Sequence, residues 1–313
     1  MLSNKKILVI RLSSLGDIIL SFPLLKKLRK SFPDSEIHYL TKNIYEETVK
    51  LSTVPGKIIL FNDNKKEVRK IIKDENYDLI IDIHKNFNSF YVSFNNAHEI
   101  LRYKKDTFKK YLLVKFKINL FKEIIPVYKK YLNSVKKFLG DTNLDYEYDE
   151  LRFSRDKIID GEYFVISPAS RHFTKTYPVK RFIEFINDNT DKKFVLVGDK
   201  SGNDEKICHE IEISCKNILN MCGKLNMKAL ANILYNSEAV ICNDSAILHL
   251  SEAVGKKVMA VFGCTVKEFG FFPQLKNSKV IERYNLNCRP CTHIGLPACP
   301  KGHFECMNVE LVK

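Results

Sequence analysis

Asp244 and Ser245 stand where a short apolar run, Ala239–Cys242, gives way to a helical pattern that opens at Ala246. Asp244 could accept a hydrogen bond from a sugar or ribose hydroxyl, and Ser245 is a favoured N-cap residue. The first N–H groups of a helix have no partner within it, so they favour an anion, most often a phosphate. His249 follows one turn later. These residues predict a phosphate and hydroxyl site, although each one alone also fits a capped helix with a buried histidine.

A second candidate site follows the first apolar run of the chain. Ser14 and Asp17 have the Ser-x-x-acid spacing of a capping box, which alone would explain them. Gly16 would let the backbone approach a ligand closely, and a carboxylate at this edge could act as a general base. Asp82 and His84 end another apolar run and are candidates for the acceptor side of the same site.

A third candidate lies in the polar loop Ser167–Pro178. Lys175 precedes a helix that begins at Pro178, since proline is favourable in the first helical turn. An ammonium group beside a helix start can bind phosphate, although a lone lysine in a polar loop is usually just solvated. Gly198 turns the chain after the next apolar run and could approach a nucleoside.

The elements that must position these residues alternate between apolar strands and helices, which predicts doubly wound parallel sheets. The first set of expected strands is Lys6–Arg11, Glu36–Leu40, Lys57–Phe61, Leu79–Ile83 and His98–Leu101, with a helix from about Asp17 to Arg29. The second set is Tyr163–Ser167, Phe194–Val197, Ile218–Met221, Ala239–Cys242 and Val258–Phe262. The acidic stretch 141–162 has no strong pattern and predicts a linker, which gives domains 1–150 and 151–313.

The 313 residues carry a net charge of +14, which favours an acidic partner: nucleic acid, an anionic membrane surface or a phosphorylated substrate. Biased Lys, Ile and Asn usage would also explain this charge. Between Arg102 and Lys137 there are twelve Lys or Arg against two acidic residues, with apolar side chains interleaved. Two basic amphipathic helices are expected here, which fits either a membrane surface or a solvated face of packed helices. No run reaches the roughly 20 apolar residues of a membrane span, so a cytoplasmic protein is expected.

The nine cysteines are concentrated toward the C-terminal end of the chain. Cys288, Cys291, Cys299 and Cys306 have the number of ligands that a structural zinc needs. The gaps after the first pair are irregular, so the pattern slightly favours free thiols in a packed tail over a metal site.

Two of these patterns resemble one family. Asp-Ser-x-x-x-His-Leu followed by Val-Phe-Gly-x-Thr, from Asp244 onward, resembles the donor-binding signature of the ADP-heptose–lipopolysaccharide heptosyltransferases, glycosyltransferase family nine. The stretch RLSSLGDIILSFPLL, from Arg11, is similar to the start of the same family. The two signatures occur in the expected order. One departure is Ala246, where the family usually has glycine.

The resemblance implies the GT-B fold, with two doubly wound Rossmann-like domains facing across a cleft. It implies a catalytic base at Asp17, and together with the positions above it gives two sets of binding residues. The expected donor-binding residues are Ser170, Lys175, Gly198, Leu225, Asp244, Ser245, Ala246 and His249. The expected acceptor-binding residues are Ser14, Gly16, Asp82 and His84.

The function implied is inverting transfer of heptose from ADP-heptose to a phosphorylated lipid A–inner core acceptor. No cofactor or catalytic metal is expected, and the basic surface would hold the enzyme at the inner membrane. Alternatives are a relative that uses another nucleotide-sugar or glycan acceptor, and a member that binds donor without transferring it. A non-catalytic nucleic-acid-binding protein is less compatible with the sequence, because the basic residues are concentrated away from the phosphate-site motifs.

Overall fold

The computed structural model describes residues 4–139, 145–148 and 150–311, which form two compact units. The first unit takes the chain up to Lys105 and again Pro126–Arg152. The second takes Asp106–Ile125 and the chain from Phe153 onward. The segment Asp106–Ile125 therefore packs with the second unit, although it precedes residue 150 in the chain.

The described residues form eleven strands and twelve α-helices. The strands are β1 (Lys6–Ile10), β2 (Glu36–Lys42), β3 (Lys57–Phe61), β4 (Tyr77–Asp82), β5 (Ala97–Arg102), β6 (Phe164–Ser167), β7 (Phe194–Leu196), β8 (Ile218–Asn220), β9 (Val240–Asn243), β10 (Val258–Phe262) and β11 (Lys279–Glu282). The helices are α1 (Leu15–Ile19), α2 (Phe22–Ser31), α3 (Glu46–Val49), α4 (Lys65–Asp74), α5 (Phe87–Ser93), α6 (Thr107–Phe116), α7 (Val127–Asn133), α8 (Lys136–Leu139), α9 (Val179–Asn187), α10 (Gly202–Ser214), α11 (Met227–Asn236) and α12 (Ala246–Ala253). Short 3₁₀ turns occupy Asn43–Tyr45, Phe173–Lys175, Lys267–Phe269 and Glu305–Met307.

Each unit is built on one parallel sheet. The strand order is β3-β2-β1-β4-β5 in the first unit and β11-β10-β9-β6-β7-β8 in the second. In both sheets the chain starts in the middle, extends to one side, and then crosses to the other. The order therefore reverses between β1 and β4, and again between β6 and β9, which is where ligands of such sheets bind. This confirms the predicted doubly wound α/β class.

The apolar runs of the sequence become strands because both faces of these sheets are covered. The four residues Ile7 to Ile10 of β1 have no exposed surface. In the second unit Phe194 and Leu196 of β7 pack in a core with Phe182 of α9. The sequence prediction omitted β11, an edge strand whose residues are only half-buried.

The single helix expected from about Asp17 to Arg29 is wrong, since the chain breaks between α1 and α2. The Ser21 hydroxyl donates to the carbonyl of Ile18 at 2.6 Å, which closes the first helix. Pro23 lies in the first turn of the second helix. Proline is tolerated there because the first N–H groups of a helix have no helical partner. The break leaves Asp17 on a short helix next to the end of β1.

Candidate functional site

In the first unit, Asp17 lies in a network of charges and hydrogen bonds at the switch point of the sheet. Arg11, the residue after β1, donates from Nη1 to the carbonyl of Ile83 at 2.7 Å, and its Nη2 lies 2.7 Å from Asp17 Oδ2. The hydroxyl of Ser14 donates to the same Oδ2 at 2.7 Å. The hydroxyl of Tyr131, from α7, donates to Oδ1 at 3.0 Å. The carboxylate is thus held in one orientation by three side chains.

The pKa of Asp17 reflects two opposing effects. Burial raises the pKa, because a carboxylate in an apolar environment loses hydration. The positive charge of Arg11 and the hydrogen bonds from Ser14 and Tyr131 act in the other direction and leave the pKa below its usual value. The side chain keeps 14% of its surface exposed. Asp17 is therefore an ionised carboxylate that a hydroxyl from solution can reach.

His84 follows β4 and lies in the same electrostatic environment. Burial, then the positive charges of Arg11 and Lys105, lower the pKa of His84 to about 4, while Asp17 acts in the opposite direction. The imidazole is therefore neutral at pH 7. Its Nδ1 is buried and has no hydrogen-bond partner among the described residues. Since buried polar atoms are nearly always paired, this nitrogen fits a position for a ligand hydroxyl.

Asp82 was expected to face the acceptor, but its side chain has no exposed surface. Its carboxylate accepts hydrogen bonds from the N–H groups of His84 and Lys85, at 3.0 and 2.7 Å, and from the Ser89 hydroxyl at 2.9 Å. Asp82 therefore orders the loop that carries His84 and is not itself exposed to a ligand. Gly16 is buried in α1, beside Asp17.

In the second unit, the Asn243 side chain connects the two strands at the switch point. Its Oδ1 accepts from the N–H of Tyr177 at 2.9 Å, and its Nδ2 donates to the carbonyl of Pro168 at 2.8 Å. The loop after β6 is thereby fixed to the end of β9. This brings the Lys175 ammonium to 2.7 Å from Asp244 Oδ2. The Thr265 hydroxyl, after β10, donates to the same oxygen at 2.7 Å.

Ser245 occupies the N-cap position of α12, as expected, but its hydroxyl makes no capping hydrogen bond. Its Oγ is buried and has no partner among the described residues. In the described part of the chain, four other helices are capped by a side chain; in α10, for example, Ser201 accepts from the N–H of Asp204. Ser245, which makes no such bond, lies at the switch point, next to Asp244 and its partner Lys175. The start of α12 thus combines the Ser245 hydroxyl and the first helical N–H groups with the adjacent Lys175–Asp244 ion pair, a set of groups suited to bind an anion.

The remaining expected donor residues lie on several elements of the second unit and differ in burial. Ala246 is the first residue of α12, and His249 is buried one turn later with its ring 6.1 Å from that of Phe271. Ser170 is half-buried in the loop after β6. Leu225 is half-buried directly before α11, after the edge strand β8.

Gly198 has a packing explanation. A Cβ at this position would lie 2.8 Å from the sulfur of Cys222 and 3.2 Å from Cβ of Asp204. A side chain at this position would force the Cys222 sulfur to move, so packing favours glycine here whether or not a ligand approaches. The expected role in approaching a nucleoside is therefore not needed to explain the residue.

The four tail cysteines do not form a metal site in this structure. Among residues 4–139, 145–148 and 150–311, no three His, Cys, Asp or Glu side chains converge as metal ligands. Cys306 is buried and packs in the core of the second unit. A hydrogen bond with Cys264, opposed by burial, lowers the pKa of Cys291 to about 7.

Sequence reasoning missed three residues that define these sites: Arg11, Tyr131 and Thr265. Arg11 was inside the expected first strand, so only its charge in an apolar run could have identified it. Tyr131 is 114 positions from Asp17 in the chain, and no local pattern joins them. Thr265 is the last residue of the signature that starts at Asp244, but the sequence analysis assigned it no role.

Two parallel sheets, each with polar residues at its switch point, define a GT-B glycosyltransferase architecture in which the second unit has the anion position. The model of glycosyltransferase family 9 (heptosyltransferase) matches residues 66–300. This chain belongs to that family, and the resemblance noted in the sequence is confirmed.

Individual relatives agree with this assignment. Lipooligosaccharide heptosyltransferase 2 of Campylobacter jejuni is 24% identical over 307 residues, which cover 94% of this chain and 91% of that protein. The structure of Escherichia coli ADP-heptose LPS heptosyltransferase II has a TM-score of 0.71 at 16% identity and covers 97% of both chains. E. coli heptosyltransferase WaaC with ADP has a TM-score of 0.70 at 16% identity, covering 88% of this chain and 92% of that one. At these identities the two structures support the fold alone.

Proposed function

We propose that this glycosyltransferase moves a heptose from ADP-heptose to a phosphorylated lipid A–inner core acceptor, with inversion at the anomeric carbon. The observation that carries the donor assignment is the buried Ser245 hydroxyl, which lies at the start of α12 and has no hydrogen-bond partner among the described residues. The relatives support the substrates, since one solved structure contains ADP and another is named for ADP-heptose.

The second unit holds the donor. The diphosphate lies at the start of α12, where the Ser245 hydroxyl and the first helical N–H groups donate hydrogen bonds and Lys175 supplies a positive charge. Asp244 and Thr265 set the position of that ammonium group. When the bond between the anomeric carbon and the phosphate oxygen breaks, negative charge grows on the diphosphate, and these groups stabilise it most in the transition state.

The first unit supplies the base. Asp17 takes the proton of an acceptor hydroxyl while the hydroxyl oxygen attacks the anomeric carbon, so the proton remains on the carboxyl group and ADP leaves. His84 Nδ1, which has no described partner, accepts a hydrogen bond from the acceptor. We place this reaction at an anionic membrane surface, where a lipid-linked acceptor is held. No helix of the described residues is long and apolar enough to cross a membrane.

Calorimetric titration with ADP-heptose, ADP, UDP-sugars and GDP-sugars tests the donor assignment. We expect the ADP compounds to bind selectively, and Ser245→Ala to weaken them about tenfold or more, as for a hydrogen bond to a charged group. Because the hydroxyl makes no hydrogen bond within the described part of the chain, its removal should leave the unfolding temperature unchanged.

Ser201→Ala is the matched control. It removes a serine that does cap its helix, so it should lower the free energy of unfolding by about 1 kcal/mol and leave nucleotide affinity unchanged. Selective binding of another nucleotide would replace the substrate. No nucleotide binding at all would contradict the function.

A further inference from the structure

The segment Asp106–Ile125 exposes an unusual concentration of apolar side chains. Of the seventeen large apolar residues that are exposed in the described part of the chain, six lie in these twenty residues. They are Phe108, Tyr111, Phe116, Ile118, Leu120 and Ile124, with exposed fractions of 68, 52, 54, 49, 45 and 36%. Only Leu113 of α6 is buried. Contiguous exposed apolar surface of this kind marks an interaction site.

This surface is held in place. Lys117 ends α6 in the left-handed conformation, and its ammonium donates to the carbonyls of Val114, Cys288 and Pro290 at 2.9, 3.1 and 2.6 Å. Two residues later, the Asn119 amide donates to Glu268 at 3.2 Å. The side chains of Lys117 and Asn119 therefore attach this segment to the rest of the second unit. The neighbouring side chains of Phe116, Ile118 and Leu120 remain 54, 49 and 45% exposed.

The charges beside this surface indicate what covers it. Lys115 and Lys122 are exposed on either side of Phe116, Ile118 and Leu120, and the segment contains five lysines against Asp106 and Glu123. Aromatic and aliphatic side chains that alternate with lysines match a bilayer interface, where the apolar groups enter the acyl boundary and the cations contact anionic headgroups.

We propose that the segment Asp106–Ile125 is the surface by which this enzyme docks on an anionic lipid bilayer, with Phe116, Ile118 and Leu120 inserted and Lys115 and Lys122 at the headgroups. The inference rests on the proposed lipid-linked acceptor, because such an acceptor lies at a bilayer. It goes beyond the proposed function because it assigns the membrane contact to the second unit, which is the unit proposed to bind the nucleotide.

Sedimentation with phosphatidylcholine vesicles, with and without phosphatidylglycerol, tests this docking surface. We expect the wild-type protein to bind only the anionic vesicles and to be released by 0.5 M salt, a concentration at which surface charges are strongly screened. Phe116→Ser combined with Ile118→Ser should reduce binding at least about tenfold, because two apolar side chains no longer leave water. Lys115→Ala should reduce it about fivefold.

The control is Ile44→Ser combined with Phe87→Ser. These two side chains are each 76% exposed, the largest value among the large apolar side chains of the described residues, and both belong to the first unit. This variant should bind vesicles like the wild type. Loss of binding in the control but not in the test variant would overturn the proposal, as would a wild type that ignores anionic vesicles. A test variant that changes from dimer to monomer without lipid would instead assign the surface to a second copy. ADP binding, measured on every variant, reports separately on the donor site.

Discussion

Replacement of Lys175 by alanine is the most informative perturbation of the donor site, because the structure gives this ammonium group a partner of its own. It lies 2.7 Å from Asp244, and the two side chains are 16% and 6% exposed. A diphosphate must therefore share Lys175 with an almost fully buried carboxylate. Lys175→Ala removes the cation from both.

The expected loss of affinity has two parts. A hydrogen bond to a charged group contributes about 1.5–3 kcal/mol, which corresponds to about 10- to 150-fold in the dissociation constant for ADP. The unpaired Asp244 carboxylate then repels the diphosphate and adds to the loss. Breaking a buried ion pair also lowers the free energy of unfolding, by about 3 kcal/mol. Lys175→Ala combined with Asp244→Asn should recover most of that stability and only part of the affinity.

Isothermal titration with ADP and ADP-heptose, with thermal unfolding of the same samples, checks both parts. Lys180→Ala is the control, because this lysine is 88% exposed and its ion pair with Glu184 is long, at 4.0 Å. Its removal should change neither the affinity for ADP nor the unfolding temperature. If Lys175→Ala bound ADP within twofold of the wild type while its unfolding temperature fell, Lys175 would be a structural partner of Asp244. The assignment of the diphosphate to this position would then be refuted.

Three further outcomes are expected. Asp17→Asn should abolish turnover and keep ADP affinity, as measured by product formation and titration; unchanged turnover would remove the base role. Tyr131→Phe removes a hydrogen bond that lowers the pKa of Asp17, so the acid limb of the pH–rate profile should move to higher pH. The control is Tyr163→Phe, which breaks a buried hydrogen bond in the other unit and should leave the acid limb where it is. Gly198→Ala should lower the free energy of unfolding, measured by urea titration, by about 1–3 kcal/mol through overpacking. The double variant with Cys222→Ala should recover part of this loss, because the second substitution removes the sulfur that lies 2.8 Å from the new Cβ.

The architecture followed from the sequence because its strands are buried on both faces and read as continuous apolar runs. β1, β6, β9 and β10 lie within one residue of their expected positions, and β4 lies within two. The residues at the carboxyl ends of these strands were found for the same reason, since a polar residue that follows such a run lies at the edge where ligands bind.

The parts that sequence could not predict depend on contacts between distant residues. Tyr131 reaches Asp17 only because α7 packs in the first unit after the chain has left it for Asp106–Ile125. Asp82 and His84 looked equivalent in the sequence, yet one is enclosed by its own loop and the other keeps an unpaired nitrogen. Periodicity reports which face of an element is buried and carries no information on which polar side chain receives a partner.

The surroundings of Asp17 bear on the base role proposed for it, because they lower the pKa of its carboxyl group. A base works best when its pKa lies near the operating pH, and Arg11 holds the pKa of Asp17 on the low side, which keeps it ionised but weak. Burial is the largest single influence and acts in the opposite direction. An acceptor that covers the remaining 14% of exposed surface removes water from the carboxylate and therefore raises its pKa. In the proposed mechanism, acceptor binding itself therefore makes Asp17 a stronger base. The pKa of Asp17 rises only when a hydroxyl is present to be deprotonated.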